Sequence, residues 1–262
     1  THPNTISIFD YGHTASGIFY YAMEYLDGID LDRLVRTFGP LPPARVAHVL
    51  RQVCGALAEA HEMGLIHRDV KPANVILCRR GGLFDVAKVV DFGLVKDLAG
   101  DDPVELTGAN TIAGTPLYLS PEAITGGDRL GPQSDLYALG AVGFFLVTGQ
   151  APFQGSLIEV CGHHLHTPAP RPSERLGRGV PAALEDVLLR CLEKDPKRRP
   201  GSAEELSAAL EAAEVGEWSQ DNAKRWWRDH GPDAGRSTAG PDVSAATATY
   251  DGEAVLPVKS AV

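Results

Sequence analysis

No lysine precedes Lys71 in this 262-residue chain, and no apolar run is longer than "LYALGAVGFFLV", Leu136 to Val147. That run is too short and too interrupted by glycine to cross a bilayer, which takes about 20 apolar residues. It predicts a buried core helix instead. Cysteine is also scarce. Cys54, Cys78, Cys161 and Cys191 lie far apart with no C-x-x-C pair, which argues for reduced, mostly buried thiols in a cytoplasmic protein. Positive charge is in deficit, with 24 Lys and Arg against 34 Asp and Glu and a net charge of -10. Such a balance speaks against non-specific binding to nucleic acid or to an anionic membrane. There is no signal peptide, no internal repeat and no initiator methionine. The start is read as a cut, and a membrane anchor elsewhere in a longer protein is compatible with all of this.

What is present divides by period. "ISIFDYGHTASGIFYYAMEYLDG" holds two β-rich aromatic runs around a Gly, Thr and Ser turn, which predicts an antiparallel hairpin. "LPPARVAHVLRQVCGALAEAHEMG" sets Val46, Val49, Leu50, Val53, Leu57 and Ala60 at helical spacing, with prolines at its start and Gly64 past its end. Two short strands follow, "NVILC" and "AKVVDFG", turning at Gly81-Gly82. From Asp97 to Ile112 the chain is polar and Gly-rich, which predicts a long loop. Ser134 is placed to cap the apolar helix. "PAALEDVLLRCLEKDP" and "GSAEELSAALEAAEV" read as amphipathic helices, the second with Ser202 and Glu205 at capping-box spacing. After about Glu217 the composition shifts toward that of a linker or disordered tail.

Within this frame lie five ordered motifs: "HRDVKPAN" (67–74), "DFG" (91–93), "GTPLYLSPE" (114–122), "SDLYALG" (134–140) and "DPKRRP" (195–200). In this order and spacing they resemble eukaryotic-type serine/threonine protein kinases, of the kind also found in bacteria. The resemblance covers roughly residues 1 to 215. It implies an α+β, protein-kinase-like fold: mainly the helical large lobe, with the last two strands of the small lobe. The expected divisions are 1–30 as small-lobe remnant and hinge, 31–215 as large lobe, and 216–262 as a C-terminal helix and tail.

Phosphoryl transfer needs an acceptor for the hydroxyl proton and cations against the phosphate oxygens. Asp69 is the candidate base, and Asn74 and Asp91 offer hard oxygen ligands suited to Mg2+. Lys71 can offset charge on the transferring group. Lys71, and Thr115 in "GTPLY", resemble the pattern of enzymes that act on Ser or Thr. The resemblance also implies an ATP site at the hinge "AMEYLDG". There Met23 stands at the back of the pocket, the Glu24 and Leu26 backbone binds adenine, and Ile76 forms the floor. Asp30 is a weaker candidate for the ribose. Arg68, next to the base, is expected to bind a phosphate placed on Thr107 or Thr111. Phosphatase treatment, or Thr107→Ala with Thr111→Ala, is then expected to lower the activity of the full-length enzyme, and unchanged activity would dispose of the switch. His67, Phe92 and Gly93 have the places of packing residues that couple the loops. Asp135 is expected to accept bonds from the catalytic-loop backbone, and Glu122 and Arg199 to form a buried ion pair.

Two clusters invite other readings. Cys161, His163, His164 and His166 suggest zinc, against a structural role in the helix and loop following "APF". Trp218, Trp226 and Trp227, beside Lys and Arg, suggest base stacking, against a terminal helix docking its aromatics on the core.

The family's Gly-rich loop and strand lysine have no counterpart before the catalytic loop. "HPN" at residues 2–4 resembles the junction after the small-lobe helix. Two functions are therefore expected in competition. The first is an ATP- and Mg2+-dependent protein kinase acting on Ser/Thr of proteins, itself included, of which this chain is a piece with negligible turnover alone. The second is a pseudokinase or large-lobe scaffold. Nucleic acid is not an expected partner, and no membrane contact is indicated within the chain.

Overall fold

The computed structural model describes residues 2–14, 19–92, 116–126 and 130–231, with Phe19 described by its backbone alone. Strands β1 (Ile8–His13) and β2 (Phe19–Met23) form the expected antiparallel hairpin, with Tyr11 opposite Tyr21. A second sheet contains β3 (Gly28–Asp30), β4 (Val75–Arg80) and β5 (Leu83–Val89) in that order, all antiparallel. Gly81 and Gly82 turn β4 into β5 with φ of 57° and 82°, values that glycine adopts without the Cβ clash other residues meet.

Helix α1 (Leu31–Phe38) was not expected from the sequence. Asp30 begins it, its carboxylate accepting from the Arg33 N–H at 2.8 Å. Asp30 thus serves as the N-cap of α1. The long α2 (Pro43–Glu62) starts with proline in its first turn and buries Val46, Val49, Leu50, Val53 and Leu57. After the short α3 (Pro121–Ile124), α4 (Pro132–Thr148) is buried on every side from Ser134 onward. Its N-cap is Gly131 rather than Ser134. Proline takes the first helical position, and Ser134, a turn further in, reaches back to accept from the Gly131 N–H at 3.5 Å. Two glycines let α4 approach α7 (Ala182–Cys191): a Cβ on Gly140 would lie 2.4 Å from the Cys191 Cβ, and one on Gly143 2.4 Å from Leu188 Cδ2. Helices α5 (Leu157–His166), α6 (Pro172–Leu176) and α8 (Ala203–Ala212) complete the helical layer. Leu139, Leu146, Leu50, Leu57, Leu188 and Leu206 share one core cluster. The α8 cap is half of the expected box: Ser202 Oγ accepts from the Glu205 N–H at 3.2 Å, while the Glu205 carboxylate turns to the Gly201 N–H at 2.7 Å.

Helix α9 (Gln220–His230) closes the described chain, docked against β5. Arg45 of α2 and Asp85 of β5, 1% and 0% exposed, form a bidentate ion pair with both contacts at 2.8 Å. The indole N–H groups of Trp218 and Trp227 donate to the same carboxylate at 2.7 and 2.6 Å. The Arg45 guanidinium lies 4.1 Å from the Trp226 ring centroid. A buried charge is tolerable only when paired and hydrogen-bonded, and here four donors surround one carboxylate. The tryptophans thus serve the core, and the base-stacking reading loses two of its rings.

Candidate active site

The loop that joins α2 to β4 is held from beneath by a single carboxylate. Asp135, buried near the start of α4, accepts from the backbone N–H groups of His67 and Arg68, each at 2.9 Å, and from His61 Nε2 at 2.8 Å. Those bonds fix two consecutive peptides and hold Arg68 at φ 65°, a left-handed conformation that a β-carbon makes uncommon. His67 is fully buried. Its Nε2 donates to the Val90 carbonyl at 3.0 Å, which leaves Nδ1 to accept from the Asp69 N–H at 3.3 Å. Burial lowers its pKa, more than the nearby carboxylates raise it, so the ring is neutral at pH 7. Its face lies against Phe92, with centroids 4.6 Å apart. One histidine therefore ties the loop between α2 and β4 to the end of β5.

Asp69 projects from this frame, half exposed. Its Oδ2 accepts from Lys71 Nζ at 2.7 Å and from Asn74 Nδ2 at 3.0 Å, and Asn74 Nδ2 also reaches the Asp69 carbonyl at 2.9 Å. Asp69 Oδ1 and Asn74 Oδ1 accept no hydrogen bond among the described residues. Two oxygens are left available by the same set of bonds. The pairing of Val75 with Val89, extended by the Val90 N–H to the Asn74 carbonyl at 3.0 Å, sets Asp91 one residue beyond Asn74's partner. Asp91 is exposed and has φ 58°. Its Oδ1 accepts from the Tyr21 hydroxyl at 3.3 Å, a link between the hairpin and the site that sequence reading did not find. Burial first, and the Asp91 charge second, raise the Tyr21 pKa, so the phenol keeps its proton.

At the hinge, Met23 is half exposed at the end of β2, Leu26 is partly buried, and Ile76 lies on β4 opposite Asp30 and Lys88. The Glu24 side chain has structural partners of its own. It is buried and accepts from Lys88 Nζ at 2.8 Å, from the Ser7 N–H at 2.9 Å and from Arg80. Lys88 Nζ also donates to the Thr5 carbonyl at 3.0 Å. The first residues, the hinge and β5 are thereby tied by one ion pair, which sequence reading missed.

Arg199 is fully buried and every arm of its guanidinium is used. It meets both Glu122 oxygens at 2.7 and 3.0 Å and the carbonyls of Glu193, Gln133 and Lys194 at 2.8 to 3.1 Å. The Ser134 hydroxyl donates to Glu122 at 2.7 Å. Burial disfavours the Glu122 charge, but the bonds from Arg199 and Ser134 outweigh it and hold the carboxyl below its ordinary 4.5. Its folded pKa being lower than its unfolded one, Glu122 stabilises the fold fully above the ordinary value and loses that contribution as pH falls through the folded value. Melting temperatures between about pH 6 and about pH 3 should therefore fall less steeply for Glu122→Gln than for the natural chain. Parallel curves would refute this assignment. Gly93, Thr107, Thr111 and Thr115 lie outside the described residues.

The zinc reading finds no support in the geometry. Among the described residues no three His, Cys, Asp or Glu are grouped to hold a metal ion. His164 is buried with Nδ1 2.8 Å from the Tyr137 hydroxyl, and burial together with the Lys194 charge pushes it down to about 4. His163 stacks on Phe153. All four cysteines are free, three of them buried, and burial raises Cys191 to about 12.

An anchored loop presents Asp69, Lys71 and Asn74, and the strand pairing brings Asp91 beside Asn74. The sequence model of the protein kinase domain matches residues 1–210. The chain belongs to the protein kinase family. It is 40% identical over 228 residues to the serine/threonine-protein kinase pkn3 of Myxococcus xanthus, covering 86% of this chain and 41% of that protein. The serine/threonine-protein kinase PrkC of Bacillus subtilis is 36% identical over 213 residues, 81% of this chain and 31% of that protein. The crystal structure of the PknI kinase domain of Mycobacterium tuberculosis superposes with a TM-score of 0.60 at 31% identity, over 81% of this chain and 72% of that one. This kinase chain spans less than half the length of the curated relatives named here. The fold is the expected one, a helix-rich α+β protein kinase fold.

Proposed function

We propose that this chain carries the catalytic large lobe of an ATP-dependent serine/threonine protein kinase, which transfers the γ-phosphoryl group to Ser or Thr hydroxyls of proteins, its own chain included. The observation that carries the reading is the Asp69 carboxylate. One oxygen is held by Lys71 and Asn74 and the other is open. A fixed, half-exposed carboxylate with one unengaged oxygen can orient a substrate hydroxyl and take its proton. Lys71, 2.7 Å from that carboxylate, supplies a positive charge beside the position the transferring group would take.

The donors fit a magnesium nucleotide. Asn74 turns its amide nitrogen toward Asp69, which leaves its carbonyl oxygen for a hard cation, and the Asp91 carboxylate is exposed beside it. Asn74 and Asp91 would hold Mg2+, and the hinge residues Met23, Glu24, Leu26 and Ile76 would hold the adenine. When bound, Mg-ATP supplies the phosphoryl group and the cationic charge against its oxygens. Asp135 keeps the loop backbone in place, and His67 and Phe92 keep it in register with Asp91. The kinases to which the chain is similar are named for Ser and Thr, and Thr115 and Lys71 support that choice here. Arg68, with Thr107 or Thr111 as phosphate acceptor, would switch the site. Residues 31–215 would form the large lobe. No helix of the described residues is long and apolar enough to cross a membrane, and the nucleotide requirement supports a cytoplasmic site of action.

Nucleotide binding tests the reading without turnover. With a fluorescent ATP analogue and the full-length protein, Mg2+ should tighten binding, and Asp91→Asn should weaken the Mg2+-dependent part on the order of tenfold or more. Binding that ignores both Mg2+ and Asp91 would overturn the metal assignment.

A further inference from the structure

A cleft of about 640 Å3 opens between α9 and the β4–β5 hairpin. Arg79, Lys224, Arg225 and Arg228 line it against one carboxylate, Asp221. Phe84 and Trp227 give it an apolar wall. On a chain with a net charge of -10 this is a local reversal of sign.

The four cations differ in how they are held. Lys224 is exposed and makes no ion pair among the described residues. Arg225 donates to neutral acceptors, the Asn222 side chain at 2.6 Å and the Asp221 carbonyl at 3.3 Å. Arg228 pairs with Asp229 at 2.8 Å, but the two side chains are 70% and 49% exposed. An exposed pair of that kind contributes little and exchanges readily for a better anion. Arg79 is fixed, by Asp27 at 2.5 Å and by the Trp227 ring 5.8 Å away. A phosphate dianion satisfies such a set better than a single carboxylate does, because it offers three acceptor oxygens to several charged donors.

We propose that this cleft is a binding site for a phosphorylated peptide segment, and that its occupant is the chain's own residues 247–256, "TATYDGEAVL", phosphorylated on Thr247 or Thr249. The segment carries the chemistry that the lining calls for. It offers two threonine hydroxyls and then Asp251 and Glu253, complementary to the cations, with Val255 and Leu256 after them, complementary to the apolar wall. Its reach is ample. Fifteen residues, 232–246, separate Gly231 from Thr247 and can extend to roughly 50 Å. The helix to be retraced has 11 residues, about 16 Å. The phosphate would come from the reaction proposed above: the threonine Oγ bonds to the γ-phosphorus, the bond to the ADP oxygen breaks, and the hydroxyl proton passes to Asp69. Only the source of the phosphate rests on that reading.

Fluorescence anisotropy of a labelled peptide 243–258 carrying phosphate on both Thr247 and Thr249, titrated with the full chain, tests the binding directly. Saturable binding is expected, at least about tenfold tighter than for the unmodified peptide. Lys224→Glu with Arg225→Glu should weaken it at least about tenfold with no change in melting temperature, since both side chains are exposed. If the two peptides bind alike, or if the double reversal leaves affinity unchanged, the phosphate site is overturned. A scrambled phosphopeptide that binds as well would overturn the assignment of 247–256 as occupant. Failure of the kinase reading would look different: no self-phosphorylation of Thr247 or Thr249, with the synthetic phosphopeptide still bound.

Discussion

Asp69→Asn in the full-length protein should lower kcat by about 10²- to 10⁴-fold, the range that removal of a general base commonly costs, with KM for ATP little changed. The substitution is nearly isosteric. An asparagine oxygen can still accept from Lys71 and Asn74, which engage one side of the carboxylate at 2.7 and 3.0 Å. What disappears is the open oxygen's capacity to take a proton. The loop is anchored elsewhere, through Asp135 and His67, so folding and nucleotide binding should survive. Steady-state kinetics separate the cases. A fall in kcat at constant KM is the signature of a group that acts in the transition state. Loss of ATP affinity in parallel would instead mark Asp69 as a binding or structural residue.

Asp85→Ala should be the most destabilising single change. It leaves the Arg45 guanidinium charged in a site where that side chain is 1% exposed, and it strands the indole N–H groups of Trp218 and Trp227. Breaking one partner out of a buried pair costs about 3–5 kcal/mol, and each orphaned buried donor adds about 1–3 kcal/mol. Thermal or urea unfolding should show a large drop for Asp85→Ala and a smaller one for Arg45→Leu with Asp85→Leu, because the double change removes the uncompensated charge. A loss of less than about 1 kcal/mol on Asp85→Ala would mean that the pair is a bystander and that α9 is held by its other contacts, the Gln220–Phe84 hydrogen bonds among them.

Much of the candidate site was legible because its residues lie in short segments. Asp69, Lys71 and Asn74 lie within six consecutive residues, and Asp91 comes two residues after β5, the strand that pairs with the one following Asn74. The partners that hold them were harder to see, since they meet across long stretches of chain. Tyr21 reaches Asp91 from 70 residues away, and Glu24 reaches Lys88 from 64. No local pattern encodes either contact. Asp85 did leave a trace. With Ala87 and Val89 it shares the buried face of β5, and a charge at an inward position of an alternating strand calls for a buried partner. Helix α1 hid behind the Asp27-Gly28 turn, although Leu31, Leu34 and Val35 have helical spacing and Asp30 caps them. Ser134 was misread as the cap because the preceding Gly131-Pro132 offers no side chain to accept a bond. The helix nevertheless begins there, proline fitting its first position.

The most direct measurement of the account is phosphoamino-acid analysis after incubating the full-length protein with radiolabelled γ-phosphate ATP and Mg2+. Label on phosphoserine or phosphothreonine, absent from the Asp69→Asn variant run beside it, is the predicted result. Label on phosphotyrosine, or label that persists without Asp69, would contradict it.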